Sequence, residues 1–580
     1  MNNWMIYNKD ISSLKPLGLS DEILRILANR GIETTEEALA FLKPSLEGLH
    51  DPYLMRDMDL AVDLIMDTIE EDGHIHIVGD YDQDGNSATV TLLKGLRHFH
   101  ERVTYAVPDR VEDGYGLNEN MVDNAKAIGV DLILTCDNGI SAHDAIRHAK
   151  ELGMRVLITD HHQVSLDEEG EEILPPADGI LNPNRRDCDY PFKELCGAGV
   201  AFKLITALFD ALGADEEEWL DLLQFVAMGT ICDVVDLVDE NRILVQEGLR
   251  RINRTENLGM RALIELNSWN KPVDVYAVGF VLGPCINASG RLSTARLGIE
   301  LFMEEDEELV KNYALELIRL NNERKRLTQE AFQDVESKLK SGEVPLTDVL
   351  VAYTESGHES IVGIVAGRIK ERFYRPTIVF SQAGEAGVLK GSGRSIEEYD
   401  MFTKLSEIRE FFLSFGGHPM AAGMSIRGEK LDQLREELHA NSGLSERDLQ
   451  RKYTIDIAYP IERLELAFID NLSILEPFGK GNPKPVFADK GIDLLGYKVM
   501  GKNQNVLKLI LRKGERVVEA ICFSGMERIL EYIVRKFGEQ RLANYNPRRN
   551  QQNPIDLIYY PSINEFRGER TVQLQIIDVR

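Results

Sequence analysis

The chain has 580 residues, of which 43% are hydrophobic and 28% charged, and its formal net charge is −30. The length predicts two to four domains, and the acidic charge argues against nucleic-acid binding over the whole surface, although a local cationic groove or bound metal can override it. Apolar runs fall short of the ~20 residues that span a bilayer, and the N-terminus lacks a signal-peptide pattern, so we expect a cytoplasmic protein.

The first distinctive stretch follows an apolar-alternating run over 74–78, which predicts a strand. Asp80, Asp82 and Asp84 then occupy alternate positions. Carboxylates this close repel one another, so the pattern predicts a divalent cation among them. An EF-hand calcium loop also begins this way, but it needs a helix before it and a Glu at its twelfth position, which here is Thr91. A solvated acidic turn is the other alternative that this stretch leaves open.

The following segments alternate between helix and strand patterns. Helices are predicted over 87–100, 118–128 and 141–153, and strands over 102–107, 131–136 and 155–159. This alternation predicts an α/β domain with a parallel sheet and helices on both faces. The last two strands end in Asp137 and in Asp160-His161-His162. Because ligands bind beyond the carboxyl ends of such strands, we expect these side chains to converge with the acidic triplet, which favours the metal site over the acidic turn.

Asp233 follows a helical pattern over 217–228 and lies among apolar residues, where a lone charge is costly. We interpret it as a further ligand rather than a satisfied core carboxylate. Carboxylates with one or two imidazoles suit Mn²⁺ or Mg²⁺ better than zinc, and the six cysteines form no C-x-x-C pair. Two cations bridged by one carboxylate would activate a water and neutralise a phosphoryl group. A phosphate would also need cationic side chains, and the candidates are Arg110, Arg291 and Arg394.

The rest of the chain predicts a charged linking helix over 304–339, a second α/β unit from about Val344, and a barrel. The glycine-rich run 415–419 predicts a loop near phosphate. Beyond Tyr453, strand patterns separated by turns fit a five-stranded barrel of the OB type. Its aromatic and basic side chains are candidates for holding a single strand, although half of the aromatics would equally be barrel core; they are Tyr497, Phe523, Tyr559, Tyr560, Phe566, Lys498, Lys502, Lys508, Arg512, Arg548 and Arg549.

The ordered motifs GDYDQDG, TCDNG, TDHH and GTICDVVD resemble those of the DHH phosphoesterase superfamily. The motifs VPDRVEDGYGLN, GPCINASGRL, GSGRS and FGGHPMAAG are similar to those of its bacterial single-strand-specific exonucleases, and this resemblance covers about residues 50–580. It implies a 5′-to-3′ exonuclease that hydrolyses phosphodiesters of single-stranded DNA with two Mn²⁺ or Mg²⁺ ions. The products would be 5′ mononucleotides, and the process DNA repair and recombination.

The resemblance also implies the roles of individual residues. The implied metal ligands are Asp80, Asp82, Asp84, Asp137, His161 and Asp233, with Asp137 as the bridge. The implied catalytic positions are Asp137 and, near the scissile phosphate, His162, Asn287 and Arg291. The implied DNA-binding positions are Arg110, Ser392, Gly393, Arg394 and His418. Of these, Arg110, Ser392 and Arg394 would anchor the 5′ end of the strand, and His418 would face the cleft. Cys285 departs from the pattern, since an arginine is expected there, and this departure concerns substrate positioning rather than catalysis.

These predictions divide the chain into an N-terminal helical segment (1–50), a DHH catalytic domain (51–303), a connecting helix (304–343), a DHH-associated α/β domain (344–448) and an OB-type barrel (449–580). The implied partners of a monomeric protein are single-stranded DNA, a single-stranded-DNA-binding protein and a RecQ-type helicase. One alternative is a phosphodiesterase of oligonucleotides or cyclic dinucleotides, against which the barrel argues. The other is a non-catalytic single-strand-binding scaffold, against which the retained carboxylates argue.

Overall fold

The computed structural model describes residues 2–109, 114, 116–501, 504–523, 525–539 and 552–580. The chain folds into two compact units. The parallel-sheet unit comprises Lys43–Leu327 and Pro477–Asn482, and the barrel unit comprises Met1–Leu42, Thr328–Glu476 and Pro483–Arg580. Among the described residues, no helix combines the length and apolar composition needed to cross a bilayer.

Helices and strands follow one another through both units. The helices are α1 (Asp21–Asn29), α2 (Thr35–Leu42), α3 (Met58–Glu70), α4 (Gln83–Arg97), α5 (Glu119–Ala127), α6 (His143–Glu151), α7 (Gly197–Ala211), α8 (Glu216–Leu220), α9 (Leu223–Cys232), α10 (Asp239–Ile252), α11 (Leu258–Leu266), α12 (Val275–Ala277), α13 (Gly283–Leu292), α14 (Arg296–Met303), α15 (Glu307–Ser341), α16 (Val362–Phe373), α17 (Met401–Ser406), α18 (Leu431–Ala440), α19 (Leu466–Asn471) and α20 (Met526–Phe537). The strands are β1 (Asn3–Ile6), β2 (Ile75–Val78), β3 (Val103–Ala106), β4 (Leu132–Cys136), β5 (Arg155–Thr159), β6 (Gly179–Leu181), β7 (Leu350–Tyr353), β8 (Thr377–Gln382), β9 (Val388–Arg394), β10 (Phe412–His418), β11 (Ala421–Arg427), β12 (Lys452–Ile455), β13 (Ile457–Ala458), β14 (Phe487–Met500), β15 (Val506–Lys513), β16 (Arg516–Cys522), β17 (Pro554–Phe566) and β18 (Glu569–Val579).

The parallel-sheet unit is built around five parallel strands in the order β3-β2-β4-β5-β6. Strands β2 and β4 are buried along their whole length, as expected for apolar runs covered on both faces. Alternate residues of one strand enter different cores: Leu132 and Leu134 pack with α4 and α7, whereas Ile133 packs with α5 and α6. The predicted α/β sheet with helices on both faces is confirmed.

The strand order places the candidate ligands at neighbouring strand ends. The chain moves from β2 to β3 on one side and then crosses to β4, β5 and β6 on the other side. The carboxyl ends of β2, β4 and β5 therefore lie beside one another at a topological switch point, where ligands bind in folds of this kind.

Helical boundaries near the candidate ligands differ from the sequence predictions. Helix α4 begins at Gln83, four residues earlier than predicted, because the Asp82 carboxylate accepts hydrogen bonds from the backbone N–H of Asp84 and Gly85. Helix α6 begins at His143, with Ala142 rather than Ser141 in the cap position. The pattern over 217–228 resolves into the two helices α8 and α9.

In the barrel unit, five strands form a mixed sheet in the order β10-β11-β9-β8-β7. The predicted loop over 415–419 is wrong, because β10 continues to His418 and pairs antiparallel with β11. Its glycines serve a close approach of backbones: a Cβ at Gly417, whose φ is 155°, would lie 2.4 Å from the Ala421 carbonyl oxygen. A glycine-rich run is therefore compatible with a strand at this position.

Strands β14, β15, β16, β18 and β17 close into a barrel through pairing of β17 with β14. This closure confirms the OB-type barrel. Tyr559 is fully buried and its hydroxyl donates to the Tyr459 carbonyl, so it is core rather than a stacking surface. Phe523 and Phe566 are exposed. The candidates Lys502, Arg548 and Arg549 lie outside the described residues.

The N-terminal region contains a strand in addition to helices α1 and α2. Strand β1 pairs in parallel with β12, and the side chains of Asn2 and Trp4 both donate to the Asp578 carboxylate at the end of β18. This part of the chain therefore packs within the barrel unit.

Candidate metal centre

All six predicted ligands converge at the carboxyl ends of β2, β4 and β5 together with the end of α9. Ligand atoms lie within 4.8 Å of one another in three groups, which are Asp80–Asp82–Asp137, Asp84–His161–Asp233 and Asp137–His161–His162. Asp137 and His161 each belong to two groups. The arrangement therefore has two neighbouring carboxylate-rich positions with Asp137 and His161 at their junction.

His161 lies at the centre of this cluster. Its Nε2 is 3.1 Å from Asp137 Oδ1, 3.8 Å from Asp233 Oδ2 and 3.9 Å from Asp84 Oδ2. Burial lowers the pKa of His161, which favours the neutral imidazole that binds metal.

Helix α7 fixes Asp84. The first backbone N–H groups of this helix, at Gly197 and Ala198, donate to the two oxygens of Asp84 at 2.6 and 3.0 Å. A helix N-terminus stabilises a carboxylate through its unsatisfied N–H groups and its dipole. Both oxygens of Asp84 are thereby held in a defined orientation.

Glycines let two helices approach the carboxylates closely. A Cβ at Gly197 would lie 2.5 Å from Asp137 Cβ, and a Cβ at Gly229 would lie 2.5 Å from Asp84 Oδ1. Real Cβ atoms do not approach other atoms this closely, so each glycine is required by its neighbour. Helices α7 and α9 therefore form a rigid wall around the ligands.

One candidate ligand and the residue that follows another lie at strained backbone positions. Asp137 has a φ of 60°, a left-handed conformation that Asp tolerates better than most residues. Val234, directly after Asp233, also has a φ of 60° and is exposed, although a β-branched side chain strongly disfavours this conformation. Such outliers concentrate at functional sites, where the surrounding structure enforces them.

The electrostatics of the carboxylates call for a cation. Burial, followed by repulsion from Asp84 and other carboxylates, raises the pKa of Asp137 well above its ordinary value. The same two causes, with Asp82 as a further neighbour, raise the pKa of Asp233 to about 8, and burial raises the pKa of Asp84. Bound divalent cations would offset both the burial of these carboxylates and their mutual repulsion. A set of carboxylates with imidazole suits Mn²⁺ or Mg²⁺. The residues present therefore fit the predicted metal ions.

His162 is held by a residue outside the predicted site set. Its Nδ1 donates to Asp160 Oδ1 at 2.7 Å, and the Asp160 carboxylate also accepts from the backbone N–H of Ile140, His161 and His162. Burial disfavours a charged His162, but the bond to Asp160 outweighs it and raises the pKa of His162 to about 9. Asp160 therefore holds His162 in position. Its place at the end of β5 is the feature of the sequence that could have identified it.

Helix α13 brings Asn287 to the start of α4. Asn287 Oδ1 accepts a hydrogen bond from the Gln83 backbone N–H at 2.9 Å, next to the acidic triplet. Arg291 is half-buried one turn further along this helix. Cys285 is fully buried, with Sγ 3.3 Å from Asn321 Nδ2, so this position contributes to packing in the present chain.

Lys480 is a cation near the centre that the sequence did not indicate. Its carbonyl accepts from the Leu237 backbone N–H at 2.8 Å, and its Nζ is 3.2 Å from Asp236 Oδ1. Its positive charge opposes the effects of burial and of Asp84 on the pKa of Asp233. No local motif signals it, because some 240 residues separate it from its neighbours in the chain.

The described residues among the predicted DNA-binding positions lie on one sheet of the barrel unit. His418, Ala421 and Arg394 are direct neighbours across β10, β11 and β9, and therefore share one face. Ser392 is opposite Gly423 in the next row of this face, and Gly393 points to the other face against Met401. Arg394 Nη1 donates to Ser392 Oγ at 3.0 Å. Arg110 lies outside the described residues.

Glycines leave the surface between these polar side chains without side-chain atoms. Gly416 and Gly423 lie on the same face, and a Cβ at either would meet open space. The resulting glycine-floored surface, with His418 on one side and Ser392 and Arg394 on the other, leaves room for a sugar-phosphate backbone.

A Gly197→Ala variant is expected to weaken Mn²⁺ binding at least about tenfold, because the new methyl group would displace Asp137 or the α7 N–H groups that hold Asp84. Isothermal titration with Mn²⁺ measures the affinity. Gly199→Ala on the same helix is the matched control, since the three atoms nearest its Cβ all belong to the Leu195 side chain, at 3.2 Å or more. Equal affinities of the two variants would contradict the prediction.

The stability of the metal-free protein should fall as pH rises from about 4 to about 8. Within this window folded Asp233, whose pKa is raised from 3.8 to about 8, holds a proton that the unfolded chain has lost. Unfolding then releases a proton, so each pH unit lowers the stability by up to about 1.4 kcal/mol for this group. Below about pH 4, Asp233 is protonated in both the folded and the unfolded protein, and its protonated form contributes fully to stability. Above about pH 8, folded Asp233 is ionised as well, and this contribution to stability is lost.

Thermal unfolding with and without Mn²⁺, at about pH 5, 6.5 and 8, tests this dependence. Mn²⁺ should raise Tm most at the highest pH, because it binds the ionised carboxylates. An Asp233→Asn variant should flatten the metal-free profile relative to the wild type. A Mn²⁺-induced shift that is the same at all three pH values would be inconsistent with the raised pKa.

Comparison with known proteins agrees with this geometry. Three family models match: the DHH family N-terminal domain over residues 74–230, the DHHA1 domain over 346–441 and the RecJ OB domain over 455–578. The single-stranded-DNA-specific exonuclease RecJ of Bacillus subtilis (strain 168) is 36% identical over 585 residues, covering 98% of this chain and 72% of that protein. The RecJ of Salmonella typhimurium (strain LT2) is 35% identical, covering 97% of this chain and 96% of that protein.

Among solved structures, RecJ from Thermus thermophilus in complex with Mn²⁺ matches with a TM-score of 0.80 and 26% identity. The match covers 100% of this chain and 79% of that one. The resemblance to the DHH phosphoesterases is confirmed, as is the prediction of an α/β protein with a C-terminal OB-type barrel. The chain belongs to the RecJ family of single-stranded-DNA-specific exonucleases.

Proposed function

We propose that the protein hydrolyses single-stranded DNA from its 5′ end and releases 5′ mononucleotides, using divalent cations. The observation that carries this proposal is the convergence of five carboxylates and His161 at three adjacent strand ends and the end of α9, in a chain of this family. A non-catalytic scaffold would have no use for a buried cluster whose mutual repulsion destabilises the metal-free fold.

The two carboxylate-rich positions are the proposed metal sites. Asp80 and Asp82 with Asp137 would hold one cation, and Asp84, His161 and Asp233 the other, with Asp137 as the bridge. When bound, such ions activate water and neutralise charge on a phosphoryl group. The chain's own contribution is to fix the ligands through the α7 N-terminus, the Asp82 cap and the close-packed glycines.

His162 is proposed to bind the scissile phosphate. Its pKa of about 9 keeps it protonated at neutral pH, and its side chain is 42% exposed while Asp160 is buried. A cationic imidazole held by a buried carboxylate presents a directed N–H donor to a phosphate oxygen. Asn287 and Arg291 are proposed to support the same phosphate from α13.

The glycine-floored surface is proposed to receive the 5′ end of the strand. Arg394, Ser392 and His418 would contact its terminal phosphate, while Gly393 allows the close packing on Met401 beneath them. Arg110 is proposed to act with them.

We further infer that the protein works as a monomer in the cytoplasm, in DNA repair and recombination. A RecQ-type helicase would generate the single strands, and a single-stranded-DNA-binding protein would cover them. These inferences follow from the family resemblance and from the single-stranded substrate.

Degradation of 5′- and 3′-labelled single strands, with and without Mn²⁺, tests the proposal. The 5′ label is expected to appear as a mononucleotide from the first turnovers, whereas a 3′-labelled strand should shorten progressively. A matched duplex and a cyclic dinucleotide are the control substrates. Early release of the 3′ label, or preferential cleavage of the cyclic dinucleotide, would contradict it.

A further inference from the structure

A cavity lies at one end of helices α4, α9 and α10 in the parallel-sheet unit. Its volume is about 630 Å³, which is in the range of sites that hold a whole small molecule. Four cationic side chains line it, those of Lys94, Arg250, Arg251 and Arg254. Cations gathered at one cavity attract anions even when the whole chain is acidic, and this chain has a net charge of −30. We call this space the basic cavity.

Carboxylates in the lining of the basic cavity neutralise two of the four cations. Asp221 accepts a hydrogen bond from Arg251 Nη1 at 2.8 Å, and Glu247 accepts one from Arg250 Nη1 at 2.5 Å. Both arginines also lie in the last turn of α10, where a cation stabilises the carbonyl end of a helix. The third carboxylate of the lining, Glu256, is exposed. The two ion pairs therefore have a structural explanation and do not by themselves require a ligand.

The other two cations have no partner of opposite charge. Nζ of the half-buried Lys94 lies 5.8 Å from the centroid of the Phe225 ring and forms no hydrogen bond or ion pair with any described residue. Burial lowers the pKa of Lys94, and the nearby charges of Glu305 and Asp221 oppose this effect only in part. The exposed guanidinium of Arg254 likewise lacks a partner within the described part of the chain. Both side chains are therefore available to an anion in the cavity.

Backbone and side-chain N–H groups at the same cavity also lack acceptors. Arg251 Nε is buried and has no hydrogen-bond partner among the described residues, although Nη1 of the same guanidinium is paired. A buried N–H without an acceptor costs free energy, which an acceptor bound in the cavity would recover. Helix α9 also begins here, and its capping residue, Leu222, supplies no side-chain acceptor to the first N–H groups. The end of a helix dipole that favours anions thus meets the basic cavity.

The basic cavity is separate from the metal centre. Helix α4 carries Asp84 in its first turn and Lys94 ten residues later, and α9 runs from the cavity to Asp233. Ten residues of helix span roughly 15 Å. Of the described ligand and catalytic candidates, none lines the cavity. A ligand in the basic cavity would therefore contact the far ends of two helices that carry candidate metal ligands.

We propose that the basic cavity binds a small molecule of nucleotide size that carries a phosphate group. Phosphate oxygens would accept hydrogen bonds from Lys94, Arg254 and the Nε–H of Arg251, which are the donors that the protein leaves unpaired. A cavity of about 630 Å³ has room for a sugar and base beside the phosphate. This site goes beyond the proposed function. Only the choice of a 5′ mononucleotide as the probe rests on that function, because the enzyme would release this molecule at every turnover.

Isothermal titration of the whole, metal-free chain with thymidine 5′-monophosphate tests the proposal. Lys94→Met keeps an apolar stem beside Phe225 but removes the charge, and Arg254→Ala removes an exposed guanidinium, so both variants should keep the Tm of the wild type within a few degrees. Each should weaken binding of the mononucleotide at least about tenfold, because each removes a charged donor to the phosphate. Lys126→Met, which removes one exposed charge from α5, is the matched control and should bind like the wild type. Thymidine, which lacks the phosphate, should bind far more weakly than the mononucleotide.

Two further arms separate this site from the metal centre and from DNA binding. His162→Ala should keep the binding that depends on Lys94, and a single strand added with EDTA, which prevents cleavage, should not displace the mononucleotide. Equal affinities of the wild type, Lys94→Met and Arg254→Ala would overturn the proposal, as would equal binding of thymidine. Displacement by the strand would also overturn it and assign these cations to DNA. Cleavage of a labelled strand with Mn²⁺ is measured separately, so a failure of the proposed function would appear in that assay and not in the titration.

Discussion

An Asp137→Asn variant is expected to keep its fold and lose at least about a hundredfold of its activity, equivalent to roughly 3 kcal/mol of transition-state stabilisation. Asp137 belongs to one proposed cation position with Asp80 and Asp82, and its Oδ1 lies 3.1 Å from Nε2 of His161 in the other, so its loss weakens both positions. Asn is the sharpest replacement because it keeps the shape of the side chain and tolerates the φ of 60°. Single-turnover cleavage of a labelled strand in Mn²⁺ measures the effect.

Thermal unfolding of the same variant separates catalysis from folding. Removing one charge from a cluster in which burial and neighbouring carboxylates raise the pKa of Asp137 should raise the Tm of the metal-free protein. The variant should therefore be more stable without metal and gain less stability from Mn²⁺. Activity within tenfold of the wild type, from protein with this unfolding behaviour, would remove Asp137 from the catalytic centre.

The sequence was sufficient to predict where the ligands converge, because strand ends in a parallel sheet follow from topology. Asp137 comes directly after β4 and His161 is the second residue after β5. The right-handed alternation of strand and helix leaves few alternative arrangements. The burial of β2 and β4 could likewise be predicted from their continuous apolar runs. Local periodicity and fold rules together determine this part of the site.

Other parts depend on contacts that no local pattern encodes. Lys480 reaches the surroundings of Asp233 because Pro477–Asn482 belongs to the parallel-sheet unit, although the flanking residues belong to the barrel unit. The pairing that turns 415–419 into a strand likewise depends on β11. A truncation near Gln450 would remove Lys480 and the partner of β1, so point variants are cleaner tests of the barrel.

An Arg394→Ala variant is expected to lower kcat/KM at least about tenfold on 5′-phosphorylated strands, and clearly less on 5′-hydroxyl strands. Arg394 Nη1 donates to Ser392 Oγ at 3.0 Å and to the Gly393 carbonyl at 2.7 Å, which fixes the guanidinium on the glycine-floored surface. A planar guanidinium binds a terminal phosphate with two parallel hydrogen bonds, which Lys cannot reproduce. Arg394→Lys should therefore recover only part of the difference between the two substrates.

Two pairs of variants on the same sheet and helix decide whether Arg394 recognises the phosphate. Arg427 lies six residues along β11 from Ala421, the strand partner of Arg394, and thus roughly 20 Å away from Arg394. Arg427→Ala should therefore change kcat/KM little, and equally, on both substrates. A Cβ at Gly363 on α16 would lie 2.9 Å from Arg394 Nη2, whereas one at Gly367 would have ordinary space at 3.9 Å from Arg394 Cγ. Gly363→Ala should therefore reproduce part of the Arg394→Ala phenotype and Gly367→Ala should not. Equal losses on phosphorylated and hydroxyl strands, in Arg394→Ala and Gly363→Ala alike, would assign Arg394 to another role.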